Sequence, residues 1–377
     1  MDTKEWKKLI ARSMTLLAIV LLFGVVTYIY KHGNQEQKVH AQGQSVMEEA
    51  LIQQHPMERQ EATAFREEKI RDITDTYIRI GKLENVQAQK VYLDNEYLDF
   101  SISLTLKGIP AGEYNKQQIQ CVWKGKDFSM KEGVKKKFLT QLTIGNYMES
   151  DIETVRIRMQ FDDVYEPVLY ETAEAYYIAL KKPEELYDKI IVVDAGHGGM
   201  DEGTASVNGK HCEKMYTLKV AKCLQEIYQD NDAKIYFTRL HDTTLSTKER
   251  TDLANAVHAS AFVSIHCNAS TLGDTASYGI EALYSGRAKA SSSTLTSKQL
   301  AQSVQKYVHE ETGRRDRGVI QRKDLYLMNH SKVPVTIIEI GYMTNTSDLN
   351  YIMREKNQKK IARGIYKGIE AALSEEI

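Results

Sequence analysis

The spacing of apolar and polar residues changes several times along this chain, and the changes mark out its parts. Residues 14–30 are uncharged and almost wholly apolar, and with Leu9 and Ile10 they are about long enough to cross a bilayer as one helix. Residues 35–75 are polar and charged, with a break at Pro56, and read either as a helical stalk or as a flexible linker. From 76 to 182 the period is two. Leu98, Phe100, Ile102, Leu104 and Leu106 alternate with polar neighbours, as do Val155, Ile157, Met159 and Phe161, and 176–180 adds another short strand. Gly108, Gly112, Gly125 and Gly133 punctuate these runs, so the segment predicts a small antiparallel β-domain with one buried face, a sandwich.

Past Pro183 the pattern changes again. The continuous apolar run at 190–193 suits a strand covered on both faces. Further strands are expected at 234–238, 261–266, 279–284, 324–328 and 335–339, and helices at 213–229, 247–258, 295–311 and 356–373. Such alternation predicts an α/β domain over 183–377, with a mostly parallel twisted sheet and helices on both faces. In such sheets, sites gather outside the carboxyl ends of the strands. The expected organisation is therefore a cytoplasmic tail and anchor (1–31), a stalk or linker (32–75), the β-domain (76–182) and the α/β domain.

Charge and the N-terminal run bear on location. Lys4, Lys7, Lys8 and Arg12 precede the apolar segment, which places the N-terminus in the cytoplasm and everything after Lys31 on the extracytoplasmic side of a single-pass protein. The alternative is a cleaved signal peptide, for which Val39-His40-Ala41 makes a poor cleavage site. A net charge of -1 gives no pull toward nucleic acid. Cys121, Cys212, Cys223 and Cys267 show no framework spacing and read as mostly structural.

Chemistry concentrates at the ends of the expected strands. His197 lies in Asp194-Ala-Gly-His-Gly-Gly199, Glu213 begins a helix, His266 ends Phe262-Val-Ser-Ile-His266, and Glu339 ends Val335-Thr-Ile-Ile-Glu339. Two imidazoles and a carboxylate make a three-ligand zinc set with a position open for water, and a second carboxylate is what that water needs as proton acceptor. Each residue also has a plainer reading. A His after a strand is commonly a surface or hydrogen-bonded group, and Glu213 suits the first turn of any helix. Glu339 is the odd one, since a carboxylate closing an apolar run costs stability unless paired. Cys212 is an alternative zinc ligand beside Glu213.

The segments Asp194-Ala-Gly-His-Gly-Gly-Met-Asp-Glu-Gly203, Asn208-Gly-Lys-His-Cys-Glu-Lys214, Thr238-Arg-Leu-His-Asp242, Phe262-Val-Ser-Ile-His-Cys-Asn268 and Ile338-Glu-Ile-Gly-Tyr-Met-Thr-Asn345 occur in the order found in one family. From residue 189 to 373 the chain resembles the zinc-dependent N-acetylmuramoyl-L-alanine amidases of the amidase-3 family. The resemblance implies His197, Glu213 and His266 as ligands of Zn2+ and Glu339 as the catalytic glutamate. The substrate it implies is the bond between the lactyl group of N-acetylmuramic acid and L-alanine in peptidoglycan. Ala195 replaces a usual Pro and Ser260 a usual Asp, and the segment 268–278 is too short for the inhibitory insertion of some members. Arg239, Arg250 and Arg317, with Asn268, are candidates for holding the anionic stem peptide, although each arginine also suits a surface ion pair. The β-domain is similar, on looser motifs, to the amidase N-terminal (AMIN) domain, which implies wall targeting. Competing readings are a zinc peptidase cutting cross-links and a tethered wall-binding protein with an inactive enzyme domain. Nothing in the sequence names an activator protein.

Overall fold

The computed structural model describes residues 58–61, 63–64, 70–128, 138–229, 233–270, 275–286 and 295–374. The expected anchor at 14–30 and most of the expected stalk lie outside the described residues. Among the described residues, no helix is long and apolar enough to cross a membrane.

Two sheets form the β-domain. One carries β1 (Glu58–Glu61), β4 (Lys90–Glu96), β5 (Ser101–Lys107), β8 (Leu139–Glu149) and β9 (Ile152–Phe161) in the order β1-β4-β5-β9-β8. The other carries β2 (Thr63–Ala64), β3 (Tyr77–Gly81), β6 (Ile119–Trp123), β7 (Lys126–Phe128), β10 (Glu166–Glu171) and β11 (Ala175–Lys181) in the order β2-β10-β11-β3-β6-β7. Ile78, Leu104, Ile157, Met159, Ile178 and Leu180 fill the space between them, which makes the expected sandwich. Two differences from the sequence reading have physical causes. β1 and β2 fall inside the expected stalk, where they pair with the edges of β4 and β10 and satisfy backbone groups those edges would leave open. The alternation from Leu98 breaks at Phe100, whose φ of 57° turns the chain before β5 begins. Leu98 and Phe100 then pack toward the α/β domain instead of into the sandwich.

The α/β sheet contains β12 (Ile190–Ala195), β13 (Lys234–Phe237), β14 (Ala261–Asn268), β15 (Ile280–Ser285), β16 (Asp316–Arg322) and β17 (Val335–Tyr342), in the order β13-β12-β14-β17-β15-β16. β13, β12, β14 and β17 are mutually parallel, and β15 runs antiparallel to β17 while pairing parallel with β16. Helices α1 (Glu213–Tyr228), α2 (Thr247–Ala256), α3 (Ser297–Thr312), α4 (Tyr326–His330), α5 (Thr346–Ile352) and α6 (Glu355–Ser374) complete the domain. α1, α3 and α6 cover one face through Val220, Leu224, Val304, Ile365 and Ile369. α2 and α4 cover the other through Leu253, Leu327 and Met328. The strand expected at 324–328 is therefore wrong: the strand is β16, and the later segment is α4. β16 is a charged edge strand whose apolar period is faint, whereas Leu327 and Met328 are buried helical contacts. α5 was also unforeseen; the Asn345 side chain caps it by accepting from the Ser347 and Asp348 amides.

The sandwich and the α/β domain share packing. Tyr97, Val164, Leu98 and Phe100 lie in one cluster with Ile190, Val192 and Tyr236. At its rim, Lys234 Nζ stands 3.4 Å from Glu166 Oε2 and lies 5.3–5.5 Å from the ring centroids of Tyr97, Tyr187 and Tyr236. The Tyr236 hydroxyl donates to Glu166, and the Tyr97 and Tyr236 rings meet edge to face at 4.8 Å. Tyr97 is only 8% exposed. Tyr97→Ala is expected to lower the stability of the whole chain by roughly 3 kcal/mol, as for other buried aromatic truncations. Urea unfolding followed by α/β-domain signals checks this; an unchanged midpoint would show that the sandwich contributes nothing to that domain.

Candidate metal centre

Three strand ends and one helix start converge. β12 ends at Ala195, and the next two residues turn sharply, with His197 in the left-handed region at φ 61°. A residue with a Cβ rarely sits there, and such positions concentrate at functional sites. Several contacts hold it. The His197 carbonyl accepts from Arg250 Nη2 at 2.8 Å, and Gly198 and Asp201 exchange backbone hydrogen bonds at 2.8 and 3.0 Å. Asp201 Oδ2 takes the ring Nδ1 at 2.8 Å, which turns Nε2 inward to 3.1 Å from Glu213 Oε2.

Glu213 opens α1 and is 2% exposed. Its Oε2 accepts from the Thr204 amide at 2.8 Å. Its Oε1 accepts from the Cys267 amide and meets His266 Nδ1, both at 2.8 Å. Burial by itself would raise the Glu213 carboxyl, but hydrogen bonds from both imidazoles hold it well below the usual range. Burial by itself would likewise lower the His266 ring; the Glu213 carboxylate reverses that and lifts it to about 9. Glycines make this closeness possible. A Cβ on Gly196 would stand 2.5 Å from the His266 ring, and one on Gly203 would stand 2.6 Å from both Glu213 Oε2 and the His197 ring.

Ligand atoms of His197, Glu213 and His266 all lie within 4.8 Å of one another. Two nitrogens and a carboxylate oxygen form a donor set that suits zinc, and the Asp201 contact fixes one imidazole as outer-shell carboxylates do in metal sites. The residues therefore fit the ion. The proton affinity of this metal-free cluster is the electrostatic counterpart of cation affinity, since an ion would replace protons on the same atoms.

Glu339 lies one strand over, directly opposite His266 in the β14–β17 ladder. Burial pushes its carboxyl up to about 7; His266 opposes this, and the charges of Glu213 and Glu281 add to it. Its Oε2 is buried and has no hydrogen-bond partner among the described residues. A buried carboxylate oxygen without a partner, beside a donor cluster, is suited to accept a proton.

A family model described as N-acetylmuramoyl-L-alanine amidase matches residues 191–371. The germination-specific N-acetylmuramoyl-L-alanine amidase of Bacillus subtilis (strain 168) is 31% identical over 202 residues, covering 49% of this chain and 79% of that protein. The chain belongs to the N-acetylmuramoyl-L-alanine amidase family. An uncharacterized protein of the same organism, YqiI, is 32% identical over 188 residues, covering 50% of this chain and 86% of its own length. The crystal structure of an N-acetylmuramoyl-L-alanine amidase from Clostridium difficile 630 shows 35% sequence identity, covers 50% of this chain and 98% of that one, and superposes with a TM-score of 0.47. The family match lies wholly in the α/β domain and does not reach the sandwich.

Within this amidase the four substrate-binding candidates separate. Arg239 is completely buried, and its guanidinium donates to the carbonyls of Ala195, Gly196, Lys214 and His241. Arg250 is 3% exposed, pairs with buried Asp194, and donates to the carbonyls of Ala195, His197 and Leu245. Both hold the backbone that carries His197. Asn268 and Arg317 stay accessible beside Glu339, and both bond to Glu281. Sequence reasoning missed Asp201 and Glu281. The first stands four residues after His197, and the second is an acid inside an apolar strand, the same oddity that marks Glu339. Cys212 is not part of the donor cluster, and Glu213 is.

Asp194 anchors the layer beneath. Burial would raise its carboxyl, but Arg250 and the hydroxyls of Ser264 and Thr238 hold it below the ordinary range. Stability from this pairing is thus full above about pH 4, the unfolded value, and is lost as the pH falls toward the lower folded value. Arg250→Ala strands a buried charge and is expected to cost roughly 3–5 kcal/mol at pH 7. The deficit should shrink below pH 4. Thermal melts of both proteins between pH 7 and pH 3 check it, and a deficit independent of pH would remove Asp194 from the account.

Proposed function

We propose that this amidase hydrolyses the bond between the lactyl group of N-acetylmuramic acid and L-alanine of peptidoglycan, with Zn2+ on His197, Glu213 and His266 and with Glu339 as base. The observation that carries the reading is the donor cluster itself, two imidazoles and a carboxylate within 4.8 Å, with the unpartnered Oε2 of Glu339 next to it. When bound there, zinc supplies Lewis acidity that makes water a nucleophile at neutral pH and polarises the amide carbonyl. Glu339 takes the proton that water gives up and returns it to the departing alanine nitrogen. Its environment suits both halves of that task, because a carboxyl near pH 7 accepts and releases a proton with little cost either way. Asp201 keeps the His197 ring in the tautomer with Nε2 free.

Glu339→Gln is expected to keep the fold and metal content while hydrolysis of purified peptidoglycan, read as new L-alanine amino groups, falls by ~10²–10⁴. His197→Ala and His266→Ala are expected to lose the metal by elemental analysis. In metal-free protein, a carboxyl-carbon NMR titration should place Glu339 at about 7, and a bound cation should lower that value. Near-normal turnover in Glu339→Gln, or full zinc in both histidine variants, would redraw the site.

We further propose that the apolar run at 14–30 anchors the protein in the cytoplasmic membrane with the amidase domain outside, where its substrate lies, and that the sandwich helps to hold it against the wall. The support is the basic flank before that run. External protease should degrade the amidase domain in wall-stripped cells. Residues 58–182 should sediment with purified walls. Full protection in the first assay would overturn the topology, and a soluble sandwich in the second would leave it a structural support.

A further inference from the structure

Because β15 and β16 begin where β12, β14 and β17 end, their first residues join the site. Glu281, the second residue of β15, is the cross-strand partner of Glu339. Two carboxylates facing across one ladder repel unless something compensates. Glu281 is compensated: it is 7% exposed, Asn268 Nδ2 donates to its Oε1 at 2.6 Å, and Arg317 Nε donates to its Oε2 at 3.0 Å. Both oxygens are thus occupied by groups that the mechanism above does not use.

Arg317 is held from several sides. Its guanidinium lies 5.1 Å from the Tyr342 ring centroid, and Nη1 reaches the Tyr278 carbonyl at 3.5 Å. Glu281 engages only Nε, so the Nη2 edge keeps its donors without a hydrogen-bond partner among the described residues. Two residues earlier, Arg315 stacks over the half-exposed Tyr278 ring at 5.1 Å and has no acidic partner among the described residues. Two guanidinium groups therefore converge on Tyr278, and one is locked by a carboxylate that itself abuts the proposed base. Guanidinium groups with planar donor edges left open match a carboxylate.

We propose that Glu281 is a positioning residue that fixes Arg317 so that it and Arg315 seat a carboxylate of the substrate's peptide portion, on the β15–β16 side of Glu339. The proposal rests on the amidase reading and adds to it a specificity for acidic peptides. Glu281 touches no reacting atom. In Glu281→Gln, one acceptor oxygen becomes an NH2 group facing either the Asn268 amide or the Arg317 Nε–H, and the negative charge that holds the guanidinium is lost.

The test uses the full chain with zinc and two soluble muramoyl-L-alanyl peptides. In one, the residue after alanine carries a free carboxylate; in the other it is the carboxamide. The parent is expected to favour the acid through KM by roughly tenfold to a hundredfold, the scale of one charge-assisted hydrogen bond. Glu281→Gln should raise KM for the acid by a similar factor, leave kcat and zinc content within about threefold, and barely change the amide. Arg315→Ala leaves the Glu281 contacts intact and should erode the preference in the same direction, which keeps the idea testable should Glu281→Gln fold poorly. A parent that cleaves both compounds equally well would overturn the carboxylate seat while leaving the amidase reading standing. Cleavage of neither would fail the amidase reading itself. A Glu281→Gln protein that loses kcat equally on both substrates would assign Glu281 to Glu339 and not to Arg317.

Discussion

The Glu213 carboxylate is the fixed point of this site. Each of its oxygens takes one backbone amide and faces one imidazole: Thr204 and His197 on Oε2, Cys267 and His266 on Oε1. Those contacts tie together the loop after β12, the start of α1 and the end of β14. A nearly buried carboxylate is costly unless its charge is met. Here two imidazoles meet it, and the same arrangement that satisfies the charge brings the donor atoms into range of one cation. The left-handed backbone at His197 is held by Arg250 and Asp201, and Arg239 grips the carbonyls just before it, so strain at one residue is borne by a buried polar layer.

Two of the four arginine and amide candidates turn their donors to the backbone for a single reason. A guanidinium offers five donors, and a tight loop at a strand end offers carbonyls that lack ladder partners. Arg239 and Arg250 satisfy those carbonyls. Sequence shows an arginine near a catalytic motif; only packing shows whether its donors point at the backbone or into the cleft.

The reversal of strand direction at β15 matters as much as the donor cluster. In a wholly parallel sheet, Glu281 and Arg317 would lie at the far edge from His266 and Glu339. Antiparallel pairing of β15 with β17 brings the starts of two strands to the ends of three others. It also explains why Glu339, whose carboxyl burial pushes up, has a carboxylate neighbour on one side and an imidazole on the other.

Local sequence determined much of this protein. Period two and period 3.6 marked the sandwich, the buried strands and the four long helices, because burial of one face imposes those spacings wherever the element sits. An imidazole or acid at the end of an apolar strand drew attention to His197, His266 and Glu339, since such a group has few inexpensive reasons to be there. Tertiary structure decided what depends on neighbours distant in the chain. It made a helix of Tyr326–His330, made β16 from a charged edge segment, drew 58–61 and 63–64 into the sheets, and packed Tyr97 and Glu166 against β13. It also buried Arg239 and set Glu281 beside Glu339. In each case the deciding energy is a contact between segments tens of residues apart, and no local period records it.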